Sequence, residues 1–216
     1  MPHNDIVIRK FRSSDRPDVR RISCATAFGG DTAVRPFDDD EILADALTLY
    51  FTDHEPSSCF VAERSGKVIG YIIGSKEVSS MNRTLRLKII PLLLLKAFLK
   101  GVFFRKKDIR FFLHCASSFF KGEFSAPDFT KEYPATLHIN LDKDARGLGL
   151  GTRLIENYMG FLREAGVKGV ALGTASERAK QFFERSGFGL LFDKTRSFMR
   201  YQTGHDVQYY IMGRKL

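Results

Sequence analysis

The chain has 216 residues, 44% of them hydrophobic and 27% charged, which is enough to bury a sizeable core, and it shows no low-complexity tract or internal repeat. Its three cysteines, Cys24, Cys59 and Cys115, are odd in number, far apart and without paired metal-ligand spacing, which argues against a disulfide framework or a zinc module. The net charge of +9 favours anionic partners, but charge does not choose between a phosphate-bearing small molecule, nucleic acid and an acidic membrane surface.

The first residues, Met1 to Asp5, show no basic stretch leading into an apolar run, so no signal peptide is expected, and a reducing cytoplasm is the expected compartment. The cysteines accordingly read as small buried residues rather than nucleophiles. Residues 6–11 alternate apolar and charged side chains and predict a half-buried strand. Asp15 is placed to cap a helix running to Phe28, with Pro17 in its first turn and apolar positions at Val19, Ile22 and Cys24. A Gly29-Gly30 loop follows. The acidic run Asp38-Asp39-Asp40-Glu41 then opens a second helix toward Tyr50, its carboxylates suiting the positive end of the helix dipole.

Residues 59–64 and 68–75 are β-branched runs around Ser65-Gly66-Lys67, hence a hairpin. Residues 79–127 break the pattern and are read as an insertion. A strand is predicted over 136–141, a helix over 152–165, a strand over 167–172 and a helix over 177–185. Further strands are predicted near 188–192, 197–201 and 207–213. An early hairpin followed by a β-α-β crossover gives one α/β domain over 1–216 with a mixed, mostly antiparallel central sheet flanked by helices.

The informative stretch is Arg146-Gly147-Leu148-Gly149-Leu150-Gly151-Thr152, where a strand ends and an amphipathic helix starts at once. Glycine lets the backbone take positive φ and lets a ligand come close. Successive free N–H groups at a helix start form an anion site, and a pyrophosphate is its natural occupant. On glycine spacing alone, a simple tight turn stays open. The nucleoside-triphosphate loop fits badly, because Gly151-Thr152-Arg153 lacks the lysine. The dinucleotide fingerprint fits badly too: the spacing is G-x-G-x-G, and the next strand ends Leu172-Gly173-Thr174 without an acidic residue.

The segment resembles the acyl-CoA motif of the GNAT superfamily of N-acyltransferases, Arg/Gln-x-x-Gly-x-Gly/Ala. A second block, residues 175–188, is similar to that family's Asn-x-x-Ala-x-x-x-Tyr-x-x-x-Gly-Phe helix and strand, with Ser176, Ala179, Phe183, Gly187 and Phe188 at the matching positions. The resemblance covers residues 133–192 well. It implies a GNAT-type fold, an acyl-CoA cosubstrate (acetyl-CoA foremost), direct transfer to an amine and no metal. It further implies that backbone groups of Ile139, Asn140 and Leu141 pair with the pantetheine arm. Amides of Gly147, Leu148, Gly149, Leu150, Gly151 and Thr152 would hold the pyrophosphate, with Arg146 nearby. Ser176 stands where the family usually has Asn, and Phe183 where it often has the Tyr proposed to protonate the departing thiolate. Phenylalanine cannot donate a proton. Another group does so, the thiolate leaves unaided, or the chain is a catalytically silent acyl-CoA-binding sensor or interaction module.

On the acceptor side, Leu137, Ile139 and Leu141 share one face of the strand, and His138 with Asn140 the other. His138 is thus a candidate base for the amine, the alternative being a histidine that only supports the strand. Asp142 and Asp144 read as solvated loop residues, and Tyr133, Tyr209 and Tyr210 as alternative proton donors. The acidic run with Asp45, Asp53 and His54 suits a cationic amine or, equally, a solvated helix start. Residues 133–140 and 169–173 also resemble acetyltransferase-like domains related to bacterial β-N-acetylglucosaminidases, which would point to an amino-sugar or protein acceptor.

The insertion is rich in leucine and phenylalanine and basic at both ends. Lys96 and Lys100 interrupt its apolar run and share a helical stripe, so a membrane span, which needs ~20 apolar residues, is not expected. The apolar surface is expected to be buried against the domain, as a helical cap over the acceptor cleft, or in a homodimer. Peripheral contact with acidic lipid is the lesser reading. Nucleic-acid binding has only net charge in its favour, without an aromatic-basic platform.

Overall fold

The computed structural model describes residues 6–27 and 39–216. The predicted Gly29-Gly30 loop, the helix end at Phe28, and Asp38 lie outside the described residues. The strands are β1 (Ile6–Lys10), β2 (Cys59–Arg64), β3 (Lys67–Ser75), β4 (Ala135–Leu141), β5 (Gly169–Thr174), β6 (Gly189–Arg196) and β7 (Val207–Lys215). The helices are α1 (Arg16–Thr26), α2 (Asp40–Leu49), α3 (Val78–Thr84), α4 (Ile90–Leu99), α5 (Lys106–Phe120), α6 (Leu150–Glu164), α7 (Glu177–Arg185) and the short α8 (Arg200–Thr203). Among the described residues, seven strands form one sheet in the order β1-β2-β3-β4-β5-β7-β6. Neighbours are antiparallel except β4 and β5, which run parallel. This is the mixed, mostly antiparallel α/β sheet expected.

Strand alternation divides the core into two layers. Leu137, Val170, Leu172 and Met212 face α6 and α7 and pack with Leu154, Ile155, Tyr158 and Phe183. Val61, Tyr71 and Ile73 face the other way, onto Val19 and Ile22 of α1, onto Tyr50 and Phe51 just beyond α2, and onto Ile89 of the insertion. The β2–β3 hairpin turns through Ser65 (φ 50°) and Gly66 (φ 79°), the paired left-handed residues that match strand twist.

Two local predictions need correction. Asp15 does not cap α1 through its side chain; its carboxylate accepts the Arg12 N–H at 2.7 Å and the guanidinium of Arg9, which tie it back to β1. Residues 197–201 are not a strand. Ser197 N–H and Oγ both bond the Glu123 carboxylate at 2.7 Å, Met199 is buried, and α8 follows. The insertion's α5 docks there, with His114 stacked on Tyr201 at 4.3 Å.

The insertion also inverts its predicted polarity. Lys96 of α4 reaches Asp45 at 2.7 Å, and Lys100 reaches Asp39 and Glu41, so the basic stripe faces α2. Ile89 and Leu93 pack inward beside it, against the same side of the sheet that carries Tyr71 and Ile73, and Ala97 packs against Ile42 of α2. The remaining leucines of α4 point outward and are exposed on the single chain, not buried against the domain. Among the described residues, no helix is long and apolar enough to cross a membrane.

Candidate functional site

The parallel pair β4 and β5 touches only at Ala135–Val170 and Thr136–Ala171. Beyond that point β4 continues five residues along β3 alone, pairing Leu137 with Gly74 through Leu141 with Gly70. The Asp142 N–H bonds the Ile69 carbonyl at 2.9 Å. Backbone alternation therefore turns the polar groups of Leu137, Ile139 and Leu141 away from β3, toward the gap where β5 has diverged. This leaves an open strand edge inside the sheet.

The edge leads straight into the glycine turn. Gly147 (φ 80°) and Gly149 (φ 71°) are both left-handed, a conformation that favours glycine, and Gly149 directly precedes α6. The first N–H of this region with a backbone partner belongs to Arg153, which bonds the Gly149 carbonyl at 3.2 Å. Among the described residues, the N–H groups of Gly147, Leu148, Gly149, Leu150, Gly151 and Thr152 make no hydrogen bond within the protein. Six donors at the positive end of a fifteen-residue helix suit a phosphate. Arg146 and Thr152 are exposed beside them. A depression of about 280 Å³, lined by Ile6, Gly147, Leu148, Leu150 and Arg153, borders the turn. Gly151 has a different reason to be glycine: it packs on the ring of Phe182.

His138 and Asn140 share the opposite face of β4 from Leu137, with Tyr71 and Ile73 as their partners on β3. The Asn140 amide donates to the Tyr71 hydroxyl at 2.8 Å, so its side chain braces the sheet beneath α1. Burial pushes that phenol up to about 12. The His138 ring meets Phe51 edge-on at 5.4 Å. The residue keeps an exposed surface. Desolvation lowers its pKa below the ordinary imidazole value of 6.5, which favours the neutral ring.

Register places a phenol on the same face. Thr136 pairs with Ala171, and Gly173 pairs with Ile211, so Tyr209 lies on the His138 side. Its hydroxyl sits against Gly173, where any Cβ would collide with it. The Arg196 guanidinium lies 3.4 Å from its ring centroid. Of the other two tyrosines, Tyr210 donates to Glu177 at 2.6 Å, and Tyr133 packs beside Gly169 and Gly213. Strand parity separates Tyr209 from Tyr210, which turns to the opposite face.

Ser176 is the N-cap of α7 and accepts the Ala179 N–H at 3.3 Å. Phe183 is 6% exposed and packs on Phe188 within the α6–α7 core. The half-buried ring that approaches the glycine turn is Phe182, which sequence reasoning passed over.

The acidic groups expected near an acceptor are directed to the chain's own cations. Asp39 caps α2 by accepting the Ile42 N–H at 3.0 Å and pairs with Lys100. Asp45 is buried between Arg20 and Lys96, and Asp53 pairs with Arg16 at 2.9 Å. His54 stacks on Tyr50. Asp142 is not a solvated loop residue: Arg21 of α1 grips both its oxygens at 2.9 and 3.0 Å. Glu55, unmarked by the sequence, accepts from Tyr50, Ser58 and the Lys76 N–H. Among the described residues, no group of three or more His, Cys, Asp or Glu side chains is assembled to hold a metal.

A family model described as "Acetyltransferase (GNAT) family" matches residues 114–188, from α5 through the glycine turn and α7 to Phe188. The crystal structure of SsHAT superposes with a TM-score of 0.70 at 23% identity, covering 98% of each chain. A Drosophila melanogaster polyamine N-acetyltransferase that forms N-acetylagmatine gives 0.62 at 16% identity, over 98% of this chain and all of its own. Salmonella typhimurium yncA, a putative acetyltransferase solved with its cofactor acetyl-CoA, gives 0.58 at 15% identity, over 99% of this chain and 95% of its own. At these identities the likeness carries the fold, and the matched segment carries the family. Residues 114–188 match the GNAT acetyltransferase family, and the chain as a whole shares the fold of the acetyltransferases it superposes on.

Proposed function

We propose that the protein is an acetyl-CoA-dependent N-acetyltransferase that acylates an amine directly. The observation that carries this reading is the continuity of two features: an unpaired edge of β4 runs into six unpaired N–H groups at the start of α6. An extended amide-bearing arm ending in a pyrophosphate matches both. Backbone groups of Ile139 and Leu141, with Asn140 between them, would bind the arm; residues 147–152 would bind the phosphates, and the Arg146 charge would add to them. The structural neighbours include an amine acetyltransferase and a chain solved with acetyl-CoA, which agrees with this donor and acceptor class.

Acetyl-CoA supplies an activated thioester carbonyl. The chain's part is to orient that carbonyl and handle two protons. A neutral His138 takes the proton from the attacking amine, since protein around the ring disfavours its charged form. Tyr209, on the same face of the sheet, donates to the departing thiolate. Phe183 is buried in the core and has no acidic hydrogen. That burial also favours a second reading, an acyl-CoA-binding module without turnover.

One pair of assays tests both. Calorimetry should show acetyl-CoA binding to the parent and its loss in Gly149→Glu, whose side chain would crowd the N–H cluster. Free-thiol release across a panel of polyamines, amino sugars and peptide N-termini should find an acceptor. Binding without thiol release over the whole panel would favour the silent module, and undiminished binding by Gly149→Glu would remove the site from this turn.

A further inference from the structure

We propose that the insertion seats the protein on an anionic lipid bilayer. Residues 79–127 contain ten lysines and arginines against two acidic residues, so this stretch carries +8 of the chain's net +9. The charge is not spread over the molecule. Lys96 and Lys100 direct theirs to α2, while Arg83, Arg86, Lys88, Arg105 and Lys106 rim a surface that is apolar and exposed.

The helical phase of α4 creates that surface. Lys96 and Lys100 turn inward to the carboxylates of α2, and Ile89, Leu93 and Ala97 pack beside them. This sends Leu87, Leu94, Leu95, Phe98 and Leu99 outward, each more than half exposed. Phe98 continues through a ring contact at 6.4 Å to Phe104, itself 73% exposed, so the patch extends past the end of α4. Isolated exposed leucines need no explanation, but a contiguous patch of this kind does. Arg83, Arg86 and Lys88 stand exposed at one end of it and Arg105 and Lys106 at the other.

An apolar helical face rimmed by cations is the arrangement that lies in a membrane interface, its leucines among the acyl chains and its cations at the headgroups. The charge also decides against the other obvious occupant. A second copy docked through the same face would bring one cationic rim against the other, and like charges at a shared interface are unfavourable. Anionic lipid satisfies both parts of the surface; a zwitterionic bilayer satisfies only the apolar part.

The full-length protein should cosediment with vesicles of equal phosphatidylcholine and phosphatidylglycerol and remain free with phosphatidylcholine alone, and salt should weaken the binding. Leu95→Ser/Leu99→Ser, both on the exposed face, should lose the binding while melting at the parent temperature. Arg86→Gln/Lys88→Gln should lower partitioning roughly 25-fold, at about fivefold per charge near an anionic surface. Failure to bind the mixed vesicles, equal binding to both compositions, or full binding by the double serine variant would overturn the proposal. So would a solution dimer that the double serine variant dissociates, which would assign the face to a second copy.

Discussion

Phe182 of α7 lies against Gly151 of α6, so close that a Cβ on Gly151 would stand 2.9 Å from its Cζ. This contact holds α7 onto the first turn of α6, next to the unpaired N–H groups. Gly151 is therefore glycine for packing, whereas Gly147 and Gly149 face open space and are glycine for their positive φ. Gly151→Val should destabilise the fold by about 1–3 kcal/mol through overpacking. In a Phe182→Ala background that cost should shrink, because the obstructing ring is gone. A double-mutant cycle of denaturant melts measures the coupling, and additive effects would show that the two residues do not meet.

Asp45 anchors the insertion to α2 from a buried position, 3% exposed, between Arg20 and Lys96. Burial pushes its carboxyl up, but hydrogen bonds from Lys96 and Arg20 outweigh that, and its net pKa lies below the ordinary 3.8. A carboxyl depressed by folding contributes stability above its unfolded value and loses it as pH falls through the folded one. Asp45→Asn should cost about 1–3 kcal/mol near neutrality, since two cations lose their partner. It should also flatten the acid limb below pH 3.8. Thermal melts from neutral pH downward check both, and an unchanged acid slope would take Asp45 out of that transition.

The sheet and the glycine turn were legible because their signals are local. Residues 65–67 force a hairpin, and glycines after a strand force a turn whatever surrounds them. The polarity of α4 was not legible, because periodicity shows that Lys96 and Lys100 share a stripe but not that Asp39, Glu41 and Asp45 wait on the inner side. The fates of Asp142 and residues 197–201 depended likewise on distant partners, Arg21 and Glu123. Phe183 and Phe182 are adjacent in sequence, and only packing tells which ring is core and which approaches the turn.

Tyr209 is the second proton-handling group in the proposed reaction. Gly173 gives its hydroxyl room over β5, on the His138 side of the sheet. Tyr209→Phe should keep acetyl-CoA affinity and lower kcat by about 10²-fold, the lower end for a lost general acid. Single-turnover thiol release would detect this, and an unchanged rate would mean that the thiolate departs without assistance. Gly173→Ala should disturb the same step by displacing the phenol, even with Tyr209 intact.

In the proposed reaction His138 carries the more demanding role, because an amine that stays protonated cannot attack. Desolvation lowers its pKa below 6.5, so the neutral ring predominates at physiological pH and is lost only on the acid side. The parent's kcat/KM should accordingly rise with an ascending limb below pH 6.5 and then level off where the ring is neutral. His138→Ala should retain acetyl-CoA binding, since the backbone of β4 remains, and should lower kcat by about 10²–10⁴-fold. It should also abolish the acid limb. His138→Gln separates the chemistry from the packing: glutamine partly fills the space beside Phe51, 5.4 Å from the imidazole, but takes up no proton near neutrality. If glutamine restores kcat, the histidine is a spacer against Phe51, and a water chain must take the proton. If glutamine restores only the melting temperature, the imidazole is the base.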